Sequence, residues 1–387
     1  LGHFERGIKA ARAACKTHPD HPAAWNIRGA SARALGKSNE AELSFTRLEA
    51  LQPAFAGAPY NLALVFEDAG RIDDAVAAYA RALKCDPDLA QAHNNLGILL
   101  SRVGENARAR EHLSKAAALR PDLPEVHNSL GNALRNSGRI REAKAAYEKA
   151  LALKPDFASA SYNLGVVEQE RGNAEAAIVA YSKALQSDPE NAIARAALLH
   201  QYALVCDWEA MESHLDGLPE LGVTTAPVLP FPMLSLEDNL ERQSIRARRW
   251  SKARYGKAQL LKLAARPAVR PKRLKLGYYS ACYRDHPMVQ LHGGLLRAHD
   301  RARFEVHAIS CGPNRRDAGR RKSEGLVDYF HDVEGQSDLA IALKVRELGI
   351  DILIDHDGHT VFNRSAPIAM RPSPVQINMV GFPGPMG

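Results

Sequence analysis

Apolar residues recur at helical spacing through HNNLGILLSRVG, residues 93–104, and the run stops at a glycine. A second run, ENARAREHLSKAAALRP, follows directly and is closed by Pro121. Apolar positions three and four apart place one stripe on a helix, and glycine and proline are the residues that end one. The same two-helix unit returns along the chain. Prolines stand at 19, 53, 87, 121, 155 and 189, and glycines at 36, 70, 104, 138 and 172, always 34 residues apart. Ala41, Ala75, Ala109, Ala143 and Ala177 keep that step, as does the bulky set Phe45, Tyr79, Leu113, Tyr147 and Tyr181. Four residue classes in one register predict five helix pairs over 21–190, after a partial unit at 1–20.

A 34-residue period with small, aromatic and proline positions in this order is the signature of tetratricopeptide repeats. Neither helix of a pair can bury its apolar stripe alone, so neighbours stack into an α-solenoid with a concave surface. Gly29, Gly97, Gly131 and Gly165, with Ala63 in the remaining unit, sit where the paired helices must approach closely. Leu1-Gly2 matches Leu35-Gly36, so the chain is expected to open halfway through a repeat, with further repeats upstream. Asn61, Asn95 and Asn163 share one position of the first helix, and Ile27 and Ser129 interrupt the column. An asparagine amide can pair with both the donor and the acceptor of an extended peptide backbone. Asparagine that is merely frequent at this position gives the same pattern, and both readings stand at this point.

The period is expected to end at Cys206-Asp207-Trp208, where CDW replaces the turn glycine, leaving capping helices over 191–215. Pro219, Pro227, Pro230 and Pro232 mark a linker, and residues 239–264 read as a basic helix within a 216–271 connector. The chain's net charge is +7, and residues 241–275 hold thirteen Lys or Arg against one acid, Glu241. Such a helix binds nucleic acid, or it packs between two domains with its long side chains covering apolar surface. No nucleic-acid module accompanies the charge, which favours packing.

From Arg273 the pattern changes to short apolar runs alternating with helical stretches. RLKLGYYS, FEVHAIS, VDYFHD, IDILID and PVQINMV read as strands, with helices between them, which implies a parallel, helix-flanked sheet over 272–387. Ligands of such sheets bind beyond the carboxyl ends of the strands. There lie His286 after the first strand, Cys311-Gly312 after the second, Asp355, His356, Asp357 and His359 after the fourth, and a Gly/Pro segment after the fifth. His286 could instead simply cap a turn, with Pro287 opening the next helix. No HExxH, GxGxxG or GxSxG accompanies these residues, which argues against a metal centre, a dinucleotide cofactor and a hydrolase nucleophile. The 387 residues suit two or three units, and no apolar run reaches the length of a membrane span. Five cysteines without a disulfide or metal spacing suit a reducing, cytoplasmic setting, and no secretory leader opens the chain.

The repeats, the CDW junction, LGYYS-x5-HP, DGHT and RPSPVQINMVGFPGPMG together resemble the O-linked N-acetylglucosamine transferase and SPINDLY family, the family-41 glycosyltransferases. The resemblance covers nearly the whole chain. It implies a solenoid followed by an α/β Rossmann-like domain, expected to be the incomplete N-terminal lobe of a glycosyltransferase-B fold. The implied activity is inverting transfer of a sugar from a nucleotide-sugar to Ser or Thr of proteins that the repeats present. UDP-N-acetylglucosamine is the donor that the HP motif suggests, whereas GHT occurs in the SPINDLY branch, which uses GDP-fucose. His286 matches the histidine proposed as general base, and its role as base or as positioning residue stays open. His359 and Thr360 match the GYT or GHT loop, and Gly381, Phe382 and Pro383 match the GYPG loop beside the sugar. Phe382 stands where tyrosine is usual and Pro385 where threonine is usual. Asn61, Asn95 and Asn163 resemble the family's peptide-holding ladder. The resemblance implies no metal and no cofactor besides the donor, which the second lobe would mainly bind. The 387 residues alone are therefore expected to bind protein substrates without transferring sugar. A non-catalytic repeat scaffold is the competing reading.

Overall fold

The computed structural model describes residues 2–256, 261, 271–360, 364–379 and 386. They fall into two compact units, 1–155 and 156–387.

The first unit is all helical. After α1 (Gly2–Thr17) come four pairs: α2 and α3 (Pro22–Ala34, Ser38–Leu51), α4 and α5 (Gly57–Asp68, Ile72–Cys85), α6 and α7 (Ala90–Arg102, Asn106–Leu119), and α8 and α9 (Pro124–Asn136, Ile140–Leu153). Its core is built from the periodic positions, with Ala41, Phe45, Ala75, Tyr79, Ala109 and Leu113 all buried. A Cβ on Gly97 would stand 2.5 Å from Cγ of Leu113, so the paired helices pack closer there than most side chains permit. The prolines have a second use. Their carbonyls receive side-chain N–H groups six residues on, from Trp25 to Pro19 at 2.7 Å and from His127 to Pro121 at 3.0 Å.

The second unit opens with the fifth pair, α10 and α11 (Ala158–Glu170, Ala174–Ser187), then α12 (Ala192–Leu204) and α13 (Trp208–Glu212). The turn at CDW keeps the geometry of the repeats although its glycine is lost, and the helix after it is short. Turn glycines such as Gly70 and Gly172 have φ of 73° and 75°, and Cys206, one period on, holds φ at 58°. The bond that closes each turn is also kept: Asp207 N–H reaches the Tyr202 carbonyl at 3.0 Å, as Arg71 N–H reaches that of Phe66 at 2.8 Å. Asp207 then caps α13 by accepting from Ala210 N–H. Backbone geometry is retained after its usual residue is gone.

The segment read as a linker is packed. Leu221, Val228 and Met233, the last in α14 (Pro230–Met233), bury against Ala192, Ala196 and Leu199 of α12. The basic helix is α15 (Leu240–Tyr255), and the rest of its expected range, apart from Gly256 and Leu261, lies outside the described residues. Arg246 and Arg249 turn inward to staple the preceding segment. Arg246, fully buried, donates to the Leu221 carbonyl at 2.7 Å and pairs with Glu237 at 2.6 Å, while Arg249 donates to the Thr225 carbonyl. Two of the basic residues, Arg246 and Arg249, thus satisfy carbonyls of an irregular segment, the arrangement of a packed helix.

A five-stranded sheet follows: β1 (Leu274–Ser280), β2 (Phe304–Ser310), β3 (Tyr329–Asp332), β4 (Ile352–Asp355) and β5 (Val375–Asn378). Its order is β3-β2-β1-β4-β5 and every pairing is parallel. The intervening helices are α16 (Pro287–Ala298), α17 (Ala318–Glu324), α18 (Asp338–Glu347) and α19 (Ala366–Ala369). Alternation along the strands feeds both faces. Leu276, Tyr278, Val306, Ala308 and Ile354 pack with Leu296 of α16, whereas Tyr279, Ile309 and Leu353 pack with Ile341 and Val345 of α18. No helix among the described residues is long and apolar enough to cross a membrane.

Candidate active site at the sheet's switch point

Strand order reverses between β1 and β4, and the loops leaving these two neighbours diverge to opposite halves of the sheet. A doubly wound sheet places its ligand crevice at such a point. The β1 loop ends in His286 and the β4 loop carries His359 and Thr360, so these three sequence-selected residues share one rim.

His286 is the N-cap of α16, with Pro287 in the first turn. Its backbone is extended, at φ −151° and ψ 146°, and its Nδ1 accepts the Met288 N–H at 3.2 Å. The capping role foreseen as an alternative is therefore real, and it has a chemical consequence. With Nδ1 accepting, a neutral ring carries its proton on Nε2. Burial, and then the charge of Arg284, hold the imidazole below its ordinary pKa. His286 lines an open cleft of about 600 Å³ with Asp285, Pro287, Gln290 and Leu291, and Leu291 is 64% exposed.

The loop from Ala281 to His286 is held at several points. Ala281 N–H donates to Asp357 Oδ2 at 2.5 Å, and Cys282 N–H to Ser280 Oγ at 2.9 Å. A Cβ on Gly312 would lie 2.0 Å from the Ala281 carbonyl oxygen, and one on Gly319 would lie 2.2 Å from that of Arg284. Backbone thus meets backbone where only glycine fits. Asp317, the cap of α17, is held below its ordinary pKa by the nearby Asp285 and Arg320 backbone N–H groups.

The acidic and histidine residues of the β4 loop part company. Asp355 Oδ1 accepts the N–H groups of Asp357 and Gly358, at 3.0 and 3.1 Å. Gly358 has φ of 55°. His356 turns into the core, its ring 3.7 Å from that of His292 and 4.9 Å from that of Tyr278. His359 is buried too, and its Nε2 lies 2.9 Å from the Met386 carbonyl and 3.3 Å from Ser251 Oγ of α15. Burial holds its pKa low. Thr360 is half-buried, its N–H on the Asp357 carbonyl at 3.3 Å. Among the described residues no three His, Cys, Asp or Glu side chains gather as a metal-ion set. Gly381, Phe382 and Pro383 lie outside the described residues.

Asn61 and Asn95 are half-buried on successive first helices of the first unit, and Asn163 is half-buried on α10 of the second. Asn95 donates to Tyr60 Oη at 3.1 Å. Asn61 borders a cavity of about 330 Å³ with Arg33, Phe45 and Asp68.

Sequence reading passed over Ser280, Asp317, Gly319 and Ser251, and placed Gly312 and Asp357 at the rim without seeing what they hold. A glycine directly after one strand and another opening the next helix were the available signals for Gly312 and Gly319. Nothing local marked Ser251, whose partners are 108 and 135 residues away.

Residues 246–387 match the model of glycosyl transferase family 41, and tetratricopeptide-repeat models match 1–59, 66–104, 88–156 and 128–192. The "Probable UDP-N-acetylglucosamine–peptide N-acetylglucosaminyltransferase SEC" of Arabidopsis thaliana is 30% identical over 49% of this chain and 21% of its own. The "Probable UDP-N-acetylglucosamine–peptide N-acetylglucosaminyltransferase SPINDLY" of Oryza sativa subsp. japonica is 30% identical over 31% of this chain and 13% of its own. A mutant O-GlcNAc transferase of Thermobaculum terrenum aligns over 76% of this chain and 50% of its own, at 25% identity and a TM-score of 0.44. The alignments with the two plant relatives thus span about a fifth and about an eighth of those proteins' lengths. Residues 246–387 are thus similar to glycosyl transferase family 41, and most of the residues before them to tetratricopeptide repeats.

Proposed function

We propose that the chain works in a protein O-glycosyltransferase, which moves a sugar from a nucleotide-sugar to a Ser or Thr hydroxyl of proteins held by the repeats. The sugar in this reading is N-acetylglucosamine, the donor group named in both plant relatives. The observation that carries the reading is the meeting of the His286 and Thr360 loops at the switch point of a parallel sheet inside the family-41 match.

His286 faces the acceptor. Its Nε2–H donates to the acceptor hydroxyl oxygen and orients a lone pair toward the anomeric carbon. The new C–O bond forms with inversion as the bond from that carbon to the nucleoside diphosphate breaks, and the hydroxyl proton passes to the departing diphosphate. The part of His286 is positioning, and it differs from proton abstraction because Nδ1 is already engaged by Met288. Thr360 and His359 shape the floor of the site, and Gly381, Phe382 and Pro383 are assigned to sugar binding by the motif they match alone. Asn61 and Asn95 in the first unit, and Asn163 in the second, each offer an amide to the backbone of a client segment.

The test uses the gene's whole reading frame, a client peptide, and a panel of UDP- and GDP-sugars, with nucleotide release as the signal. UDP release from UDP-N-acetylglucosamine is expected, and His286→Asn, which keeps an N-cap acceptor, loses it. Release from a GDP-sugar alone reassigns the donor. No release from any donor by the folded protein overturns the enzyme reading in favour of a repeat scaffold.

A further inference from the structure

We propose that Asp357 is the positioning residue of this site: its buried carboxylate ties the loop bearing His286 to the loop bearing His359 and Thr360, and so sets where His286 stands. The inference rests on the reading of this rim as the acceptor site, but its geometry is independent of any donor.

Asp357 is 2% exposed, and both its oxygens are used across the gap between β1 and β4. Oδ1 accepts the Ser280 hydroxyl at 2.8 Å and Oδ2 accepts the Ala281 N–H at 2.5 Å. Ser280 in turn accepts the Cys282 N–H, so one carboxylate organises three consecutive residues at the start of the His286 loop. The Asp357 backbone is anchored as well. Its N–H and that of Gly358 share Asp355 Oδ1, and the Asp355 carbonyl accepts the Met379 N–H at 2.9 Å. The flanking residue His356 donates its N–H to the Tyr279 carbonyl at 3.1 Å.

A carboxylate is an expensive way to hold a loop. Burial pushes the Asp357 carboxyl up to about 6, against the pull of the Ala281 and Ser280 hydrogen bonds. An apolar residue would avoid that cost but could not accept from a backbone N–H. Beyond Ala281 the chain is clamped again, by the close backbone contacts at Gly312 and Gly319. The histidine therefore lies at the end of a short, tethered arm whose root is Asp357.

The test is 15N NMR of histidine-labelled 387-residue chain, with the His286 ring assigned by its loss in His286→Asn. Wild type is expected to show the Nε2–H tautomer and a titration midpoint below the ordinary imidazole value. Asp357→Ala removes both acceptors, so the midpoint returns toward that value and the two ring nitrogens average, while His93 and His112 in the repeats stay unchanged. Asp357→Asn, whose carbonyl still accepts the Ala281 N–H, restores the wild-type signature. Ser280→Ala loses one of the two bonds, gives a smaller displacement in the same direction, and is the deciding variant should Asp357→Ala not fold. A folded Asp357→Ala chain, or in its place Ser280→Ala, with His286 indistinguishable from wild type overturns the proposal. In the whole reading frame, Asp357→Ala is expected to lower kcat about a hundredfold with KM little changed. Displacement of His286 in a protein that releases no nucleotide would leave the positioning intact and sink the enzyme reading.

Discussion

The Nδ1 atom of His286 accepts the backbone N–H of Met288 at 3.2 Å, so one imidazole both starts a helix and faces the cleft. The two duties can be separated. His286→Ala removes the cap and should cost about 1 kcal/mol of stability. His286→Asn should keep most of that stability, because asparagine is a strong N-cap. Urea unfolding of both variants measures the cap, and nucleotide release measures the chemistry. Equal stability of the alanine and wild-type chains would remove the capping argument.

Cys206 holds a left-handed backbone where the preceding periods use glycine. A side chain in that region costs roughly 1–2 kcal/mol. Cys206 is exposed and its thiol is free, so Cys206→Gly should stabilise the second unit by about 1 kcal/mol, seen as a higher urea midpoint. A lower midpoint would mean that the cysteine side chain does more than fill a turn.

Arg246 is fully buried and joins Glu237 to the carbonyls of Leu218 and Leu221. Removing Arg246 leaves Glu237 paired with Arg242 but strips the Leu218 and Leu221 carbonyls of their buried donor, at a cost of about 1–3 kcal/mol. Arg246→Ala should therefore unfold much of the segment over 216–237, and limited proteolysis should cut it there. Lys252→Ala, on the exposed side of the same helix, should change stability by less than about 0.5 kcal/mol.

Gly319→Ala would set a methyl group 2.2 Å from the Arg284 carbonyl oxygen, and neither backbone can give way cheaply. Overpacking of this kind costs about 1–3 kcal/mol. The variant should lose stability by that amount and lose nucleotide release by more than its folded fraction explains. Activity falling only in step with folding would show that the His286 loop tolerates the shift.

His292 and His356 are buried ring against ring, and burial lowers the pKa of both, with His292 lowering that of His356 further. The folded form resists protons that the unfolded chain accepts near pH 6.5. Stability from this pair is therefore full above that pH and is lost as pH falls through it. Asp357, with its carboxyl raised to about 6, acts in the opposite sense, since its folded form takes the proton first. Urea midpoints should fall between pH 7.5 and 5.5, and His356→Leu should flatten the slope. An unchanged slope would assign it to other groups.

The repeats and the strands were legible in the amino-acid order because their causes are local. A helix pair is specified by apolar spacing, a turn glycine and a closing proline within 34 residues, and each strand by one short apolar run. The rim residues His286 and His359 were reachable by the same logic, since strand ends can be read in order, whereas Thr360 came from the family motif it matches. What the loops do with their polar groups was not. Asp357 turns toward Ser280, 77 residues away, His356 turns into the core, and His359 meets Ser251, 108 residues away. Arg246, one of thirteen basic residues in a row of similar ones, is buried because a distant segment offers it carbonyls. Cys206 keeps a glycine's backbone because the turn's own hydrogen bond is retained there. Composition and period determine which elements form, because neighbours along the chain supply their contacts. Only tertiary structure decides which buried donor meets which acceptor, because those partners are joined by packing and not by sequence distance.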